Sequence, residues 1–164
     1  MQANFIQFSY EDVTVLPGGC SLLLNIDERI VTLLGAGGIQ AQCRCSPSAF
    51  RLLFFLLQAP HGADYAELLA CLRCSESVFR KLFASSSREQ ILATLAPQVD
   101  RWHRHLEKSA LHGKSALEKE LKMIRRATKE RSGVNAILKK HGFALTVRAM
   151  YRKGYLLTST PLLQ

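Results

Sequence analysis

The spacing of apolar residues changes twice along this 164-residue chain, and the order of those changes constrains the fold more than any single motif does. Between Phe5 and Cys45 apolar and polar residues alternate in short stretches, interrupted by Pro17-Gly18-Gly19 and by Gly35-Ala36-Gly37-Gly38. That is the pattern of strands joined by tight turns. Val13–Val15, Ser21–Ile26, Arg29–Leu34 and Ile39–Cys45 are the predicted strands, with Asn25, Asp27 and Glu28 in one connecting turn. A small antiparallel sheet is the expected product.

Helical spacing then takes over. Ser46-Pro47 has the form of a helix start, a serine to cap the first free amides and a proline at the first helical position, ahead of the apolar run Phe50–Leu57. Pro60-His61-Gly62 closes that helix, and Asp64 is placed to cap a second from Tyr65 to Leu72. Ser75–Phe83 reads as a third, with Val78, Phe79, Leu82 and Phe83 on its apolar side. Ser85-Ser86-Ser87 interrupts, and Ser87 with Gln90 forms a capping-box pattern opening a further helix through Leu95. Pro97 either kinks that helix or starts another carrying Val99, Trp102 and Leu106. Beyond His112-Gly113, residues Ala116–Arg131 are strongly amphipathic: Leu117, Leu121, Ile124 and Thr128 share one face, and Lys119, Lys122, Arg125, Arg126 and Lys129 the other. A short helix, Val134–Lys140, follows. Alternation then returns: Phe143, Leu145 and Val147, continued by Ala149 and Tyr151, form one face of a strand, and Arg152-Lys153-Gly154 turns into a second strand from Tyr155 to Thr158.

The length suits one core rather than two. The longest apolar run, Leu52–Leu57, is six residues, against about twenty for a membrane-spanning helix. With no secretory pattern in Met1–Tyr10, no membrane association and a cytoplasmic location are the expectations. Residues 1–100 hold seven Lys and Arg against nine Asp and Glu, a net of −2, whereas residues 101–164 hold fifteen against four, a net of +11. A basic excess confined to one third of the chain suits a polyanion, because docked cations release counterions from phosphates. A solvated basic face is the competing reading. Five cysteines, Cys20, Cys43, Cys45, Cys71 and Cys74, are an odd number that argues against a disulfide framework. Cys43-Arg-Cys45 with Cys71-Leu-Arg-Cys74 has only a weak claim on zinc, and buried free thiols are the expectation. No glycine-rich phosphate loop, convergent catalytic set or joint His ligation is visible, since His103 and His105 diverge on a helix. The chain reads as a non-enzyme without cofactor.

Val147-Arg148-Ala149-Met150-Tyr151-Arg152-Lys153-Gly154-Tyr155-Leu156-Leu157, together with Cys45-Ser46-Pro47-Ser48-Ala49-Phe50-Arg51-Leu52-Leu53 and the strand-rich lead-in, resembles the OmpR/PhoB-type winged-helix effector domain, also used by bacterial regulators of the ToxR and CadC kind. The resemblance implies an α+β winged helix-turn-helix. Its parts are an N-terminal antiparallel sheet (1–45), the first two helices (46–72), a long helical insertion (73–114), a basic helical region (115–141) and a C-terminal hairpin wing (142–158), together a single domain over residues 1–164. The insertion departs from the family's short connection, and is open between a dimer or RNA polymerase surface and a simple cover for the core.

On this resemblance the chain is a sequence-specific transcriptional regulator of double-stranded DNA, a stand-alone effector without a receiver domain. Gly154 would permit the wing's turn, Tyr155 would pack at its base, and Arg148, Arg152 and Lys153 would meet DNA. Lys119, Lys122, Arg125, Arg126 and Lys129 would line a recognition helix in the major groove, with Arg125 or Arg126 reading bases because guanidinium is planar and bidentate. A second register makes Val134–His141 the end of that helix, with Lys139 and Lys140 on phosphates; a third uses Tyr65–Phe83, with Arg80 and Lys81 toward DNA. RNA is the weaker polyanion, because aromatic residues are not interleaved with the basic ones. The competing class is a protein-interaction module or anti-regulator on a degenerate winged-helix fold. A homodimer, RNA polymerase or a regulatory protein are the other partners under consideration.

Overall fold

The computed structural model describes residues 4–85, 87–129 and 133–160. Ser86 and the end of the basic helix expected at residues 130 and 131 lie outside them. Four strands come first, β1 (Phe5–Ser9), β2 (Ser21–Asn25), β3 (Ile30–Gly35) and β4 (Gly38–Arg44), paired antiparallel in that order. The strand expected at Val13–Val15 is a turn instead. Phe5–Ser9 occupies the pairing edge of β2, and Asp12 closes the turn by accepting the Ser9 hydroxyl at 2.9 Å. Val13 and Leu16 are nevertheless buried, so the valine pattern reports burial and not strand. Asn25 accepts the amides of Asp27 and Glu28, as expected of that turn.

One face of the sheet, carrying Phe8, Leu22, Leu24, Val31, Leu33, Ala41 and Cys43, joins the helices in a single core. At the centre is α1 (Pro47–Leu57), capped by Ser46 and buried at eight of its eleven residues. A helix apolar all round belongs in an interior. Arg51 is its one charged residue, and its guanidinium donates to the carbonyls of Cys71 and Cys74 at 3.3 and 2.6 Å, meets Glu76 at 3.2 Å and lies 4.7 Å from the centre of the Phe79 ring. Strand β5 (Ala63–Asp64) leads into α2 (Tyr65–Arg73) through a complete capping box between Asp64 and Glu67.

Helix α3 (Glu76–Ala84) is part of the core, because Phe79 and Phe83 pack against Phe50 and Phe54 of α1 with ring centres 5.4–6.3 Å apart. Helix α4 (Arg88–Leu111) runs unbroken through Pro97 and lies along α2. Then come α5 (Lys114–Lys129), α6 (Val134–Lys140) and the hairpin β6 (Leu145–Met150) and β7 (Gly154–Ser159). The hairpin joins β5 in a three-stranded sheet of order β5-β7-β6. The architecture is therefore mixed α+β, with a four-stranded antiparallel sheet at one end of the chain and a small sheet at the other.

Replacing Arg51 by Met keeps the volume and removes the donors. The Cys74 carbonyl then loses this donor and the Cys71 carbonyl keeps only the weak thiol donor of Cys74, and each buried orphan costs about 1–3 kcal/mol. We expect a clear drop in unfolding free energy by chemical denaturation, with Arg51→Lys recovering only part of it because one ammonium cannot span the same acceptors.

Candidate nucleic-acid interface

Helix α5 keeps the division its sequence announces. Leu121, Ile124, Ala127 and Thr128 are buried, and Lys119, Lys122, Arg125, Arg126 and Lys129 are exposed. The Thr128 hydroxyl is fully buried and returns its hydrogen bond to the helix's own carbonyls at Ile124 and Arg125, each at 3.1 Å. Lys119, Lys122 and Arg125 line one open hollow of about 380 Å³ with Ser115 and Glu118. Glu118 approaches Arg125 at 3.6 Å, an exposed pair that is worth little and leaves the face strongly positive. A second carboxylate, Glu120, turns away and meets His105 of α4 at 3.1 Å.

The other predicted cations fall in two further places. Lys139 and Lys140 are exposed in the last turn of α6, where positive charge complements the helix dipole. Arg148, Arg152 and Lys153 are exposed on the hairpin, and the latter two line a hollow with His61, Asp64, His103 and Leu106 rather than with α5. His103 Nε2 lies 3.5 Å from Asp64, so the two histidines serve different carboxylates, in keeping with their divergence on the helix. Arg80, one of the two cations of the third register, is held by Asp27 at 3.0 Å and Glu76 at 3.5 Å, whereas Lys81 beside it is exposed. The Arg80 charge is locally answered.

These pieces are held together by contacts that sequence spacing does not reveal. Asn135 of α6 binds both backbone groups of Val147, donating to its carbonyl at 2.9 Å and accepting its amide at 2.7 Å. A side-chain amide thereby acts as a strand partner for β6. The Tyr155 ring meets Tyr65 edge-on, 6.3 Å between centres. Burial and then Tyr65 push its phenol above the ordinary value, against smaller opposing effects of Thr128 and Arg125 on α5. The packing role expected for Tyr155 is thus observed, and its ring joins the hairpin to α2.

Gly154 has a different task from the one the resemblance assigns. The left-handed residue of the turn is Arg152, at φ 56°. Gly154 is instead pressed against β5, where any Cβ would run into the backbone of Ala63 and Asp64. Alternation also ends before the tip: Leu145 and Val147 are buried, but Ala149 and Tyr151 are exposed, while across the turn Gly154 and Tyr155 are buried where β7 pairs with β5. Tyr151, 81% exposed, lies under the Arg152 guanidinium at 5.0 Å. An exposed aromatic beside a cation at a hairpin tip was signalled only by its place before Arg152-Lys153.

The thiols Cys20, Cys43, Cys45 and Cys71 are buried and unpaired, with Cys74 half-buried. Cys45 is pushed up by its hydrogen bond with Cys43 and by burial, and Cys71 by burial. Among the described residues no three His, Cys, Asp or Glu side chains are grouped to hold a metal ion. No helix there is long and apolar enough to cross a membrane. Comparison of the chain with protein-family models, with characterised proteins and with solved structures gives no match.

Two hairpin substitutions separate packing from charge. Gly154→Ala forces β5 and β7 apart and is expected to cost about 1–3 kcal/mol, the usual range for overpacking, in a denaturant titration. Arg152→Gly removes a left-handed non-glycine residue, which offsets the flexibility glycine adds, and thermal unfolding is expected to change by less than about 1 kcal/mol.

Proposed function

We propose that the chain is a sequence-specific double-stranded DNA-binding transcriptional regulator of the winged helix-turn-helix type, with α5 as the recognition element and the β6–β7 hairpin as the wing. The observation that carries this reading is the exposure of every predicted cation, from Lys119 to Lys153, on three elements packed in series, α5 on α6 and α6 on β6, with Asn135 bonded to the β6 backbone. A merely solvated surface needs no such anchoring of its cations to a common frame.

Size and shape agree with the proposal. Sixteen residues of α5 span about 24 Å at 1.5 Å per residue, and the outer side of a helix fits the major groove. Lys122, Arg125 and Lys129 follow one another along that outer side, with Lys119 and Arg126 flanking. Lys139, Lys140 and Arg148 supply phosphate contacts beyond the groove, and Arg152 with Lys153 extends the footprint from the hairpin. The order of sheet, helices and hairpin supports the winged-helix reading, and with Arg80 paired α3 offers Lys81 alone against the five predicted cations exposed on α5, which favours α5 over the register built on α3.

Fluorescence anisotropy on labelled random duplex DNA at several salt concentrations tests the proposal. Binding is expected to weaken steeply with salt, since the slope follows about 0.9 per phosphate neutralised. Lys122→Ala/Arg125→Ala and Arg152→Ala/Lys153→Ala are each expected to lower both affinity and slope, by up to about 2 in the latter on the same relation. Absence of binding at low salt would sink the proposal and leave a protein-interaction module as the reading to pursue.

A further inference from the structure

An open cavity of about 470 Å³ lies between the C-terminal half of α2 and the middle of α4, away from the cationic face. Its volume falls within the range of small-molecule sites. Three kinds of wall meet there. Trp102, the chain's only tryptophan, is half-buried and presents an aromatic surface, braced edge-on by His105 at 5.5 Å between ring centres. Ala70 on α2 completes this apolar wall with little bulk.

Arg73 ends α2 and Arg101 sits on α4, so two guanidiniums reach the cavity from different helices. Both are exposed, and neither forms an ion pair among the described residues. The third wall is Gln98, whose Oε1 is shielded from solvent and has no hydrogen-bond partner. A buried acceptor left unsatisfied is costly, and a turn of this half-buried side chain toward the adjoining space would bring its oxygen to a donor from outside the chain. Cys74 also lines the space, but burial raises its pKa, so it faces the cavity as a neutral thiol and not as a nucleophile.

We propose that this cavity binds a small aromatic carboxylate whose ring carries a hydroxyl or N–H group. The ring packs on Trp102, the carboxylate meets Arg73 and Arg101, and the ring donor satisfies Gln98 Oε1. Each wall selects a different part of the molecule: a carboxylate without a ring leaves Trp102 uncovered, an apolar ring leaves the guanidiniums unanswered, and a ring without a donor leaves the amide oxygen unpaired. Binding is reversible and involves no covalent step. The site does not depend on the DNA-binding reading, because none of its residues belongs to that surface.

The single tryptophan makes the test direct. The full chain is titrated with para-hydroxyphenylacetate while Trp102 fluorescence is excited where tyrosine does not absorb, and calorimetry repeats the titration without relying on the fluorophore. A saturable response is expected in both. Phenylacetate, which lacks the hydroxyl, and para-cresol, which lacks the carboxylate, are expected to bind at least about tenfold more weakly, the size of one hydrogen bond to a charged or buried group. Arg73→Met/Arg101→Met is expected to abolish the preference for the carboxylate, and Gln98→Leu the preference for the hydroxyl. These changes touch exposed or half-buried side chains, and circular dichroism verifies that each variant is folded. A response that persists unchanged in both variants, or no saturable response in either measurement, overturns the proposal.

Discussion

The guanidinium of Arg51 is the interaction on which the arrangement of the helices depends. It is the single charge on a helix otherwise surrounded by the core, and its side chain is 13% exposed. A buried cation without partners is untenable, so the chain supplies them: the last carbonyls of α2, the carboxylate of Glu76 at the start of α3 and the face of Phe79. One side chain thereby fixes where α2 ends and how α3 departs. The position of α2 in turn sets β5, and β5 sets the hairpin through the glycine contact at residue 154. The body and the cationic elements are thus connected by a short series of polar and steric contacts, each too specific to be replaced by generic hydrophobic packing.

Local signals were legible in the sequence and long-range ones were not. Ser46, Asp64 and Ser87 cap the helices they were expected to cap, because a capping bond spans three residues and needs no tertiary context. The amphipathic division of α5 and the basic turn at Arg152-Lys153 are equally local. Val13–Val15 misleads because β-branched residues also suit a buried turn, and β2 has only one free edge to offer. Pro97 leaves two readings open in one dimension; in the fold, α4 absorbs the loss of one backbone bond while packed along α2.

The candidate site divides along the same line. Which residues carry the charge was readable, residue by residue. What each charge meets was not: Arg80 is answered by Asp27, fifty-three residues away in the chain, and Asn135 serves a strand twelve residues on. Gly154 shows the same limit from the other side. Its place in a basic-Gly-Tyr string suggests a turn residue, yet the backbone it must avoid belongs to Ala63. Periodicity assigns a side chain to a face, and only the fold determines what that face encounters.

The long pair α4 and α5 has a consequence for how the molecule breathes. Along α4 only Ile91 and Leu95 are buried, both in its first third, and Leu111 near the far end is 87% exposed. The first two residues of α5, Lys114 and Ser115, on the other side of Gly113, are exposed as well. Little apolar surface holds this apex down, so its backbone hydrogen bonds open by local fluctuation at a free energy well below that of the core. The second half of α5, seated on Ile124 and Thr128, opens only with the body. Hydrogen exchange along this one helix therefore grades from a fast, fraying start to a slow, globally protected end, and Lys119 belongs to a softer part of the protein than Arg125.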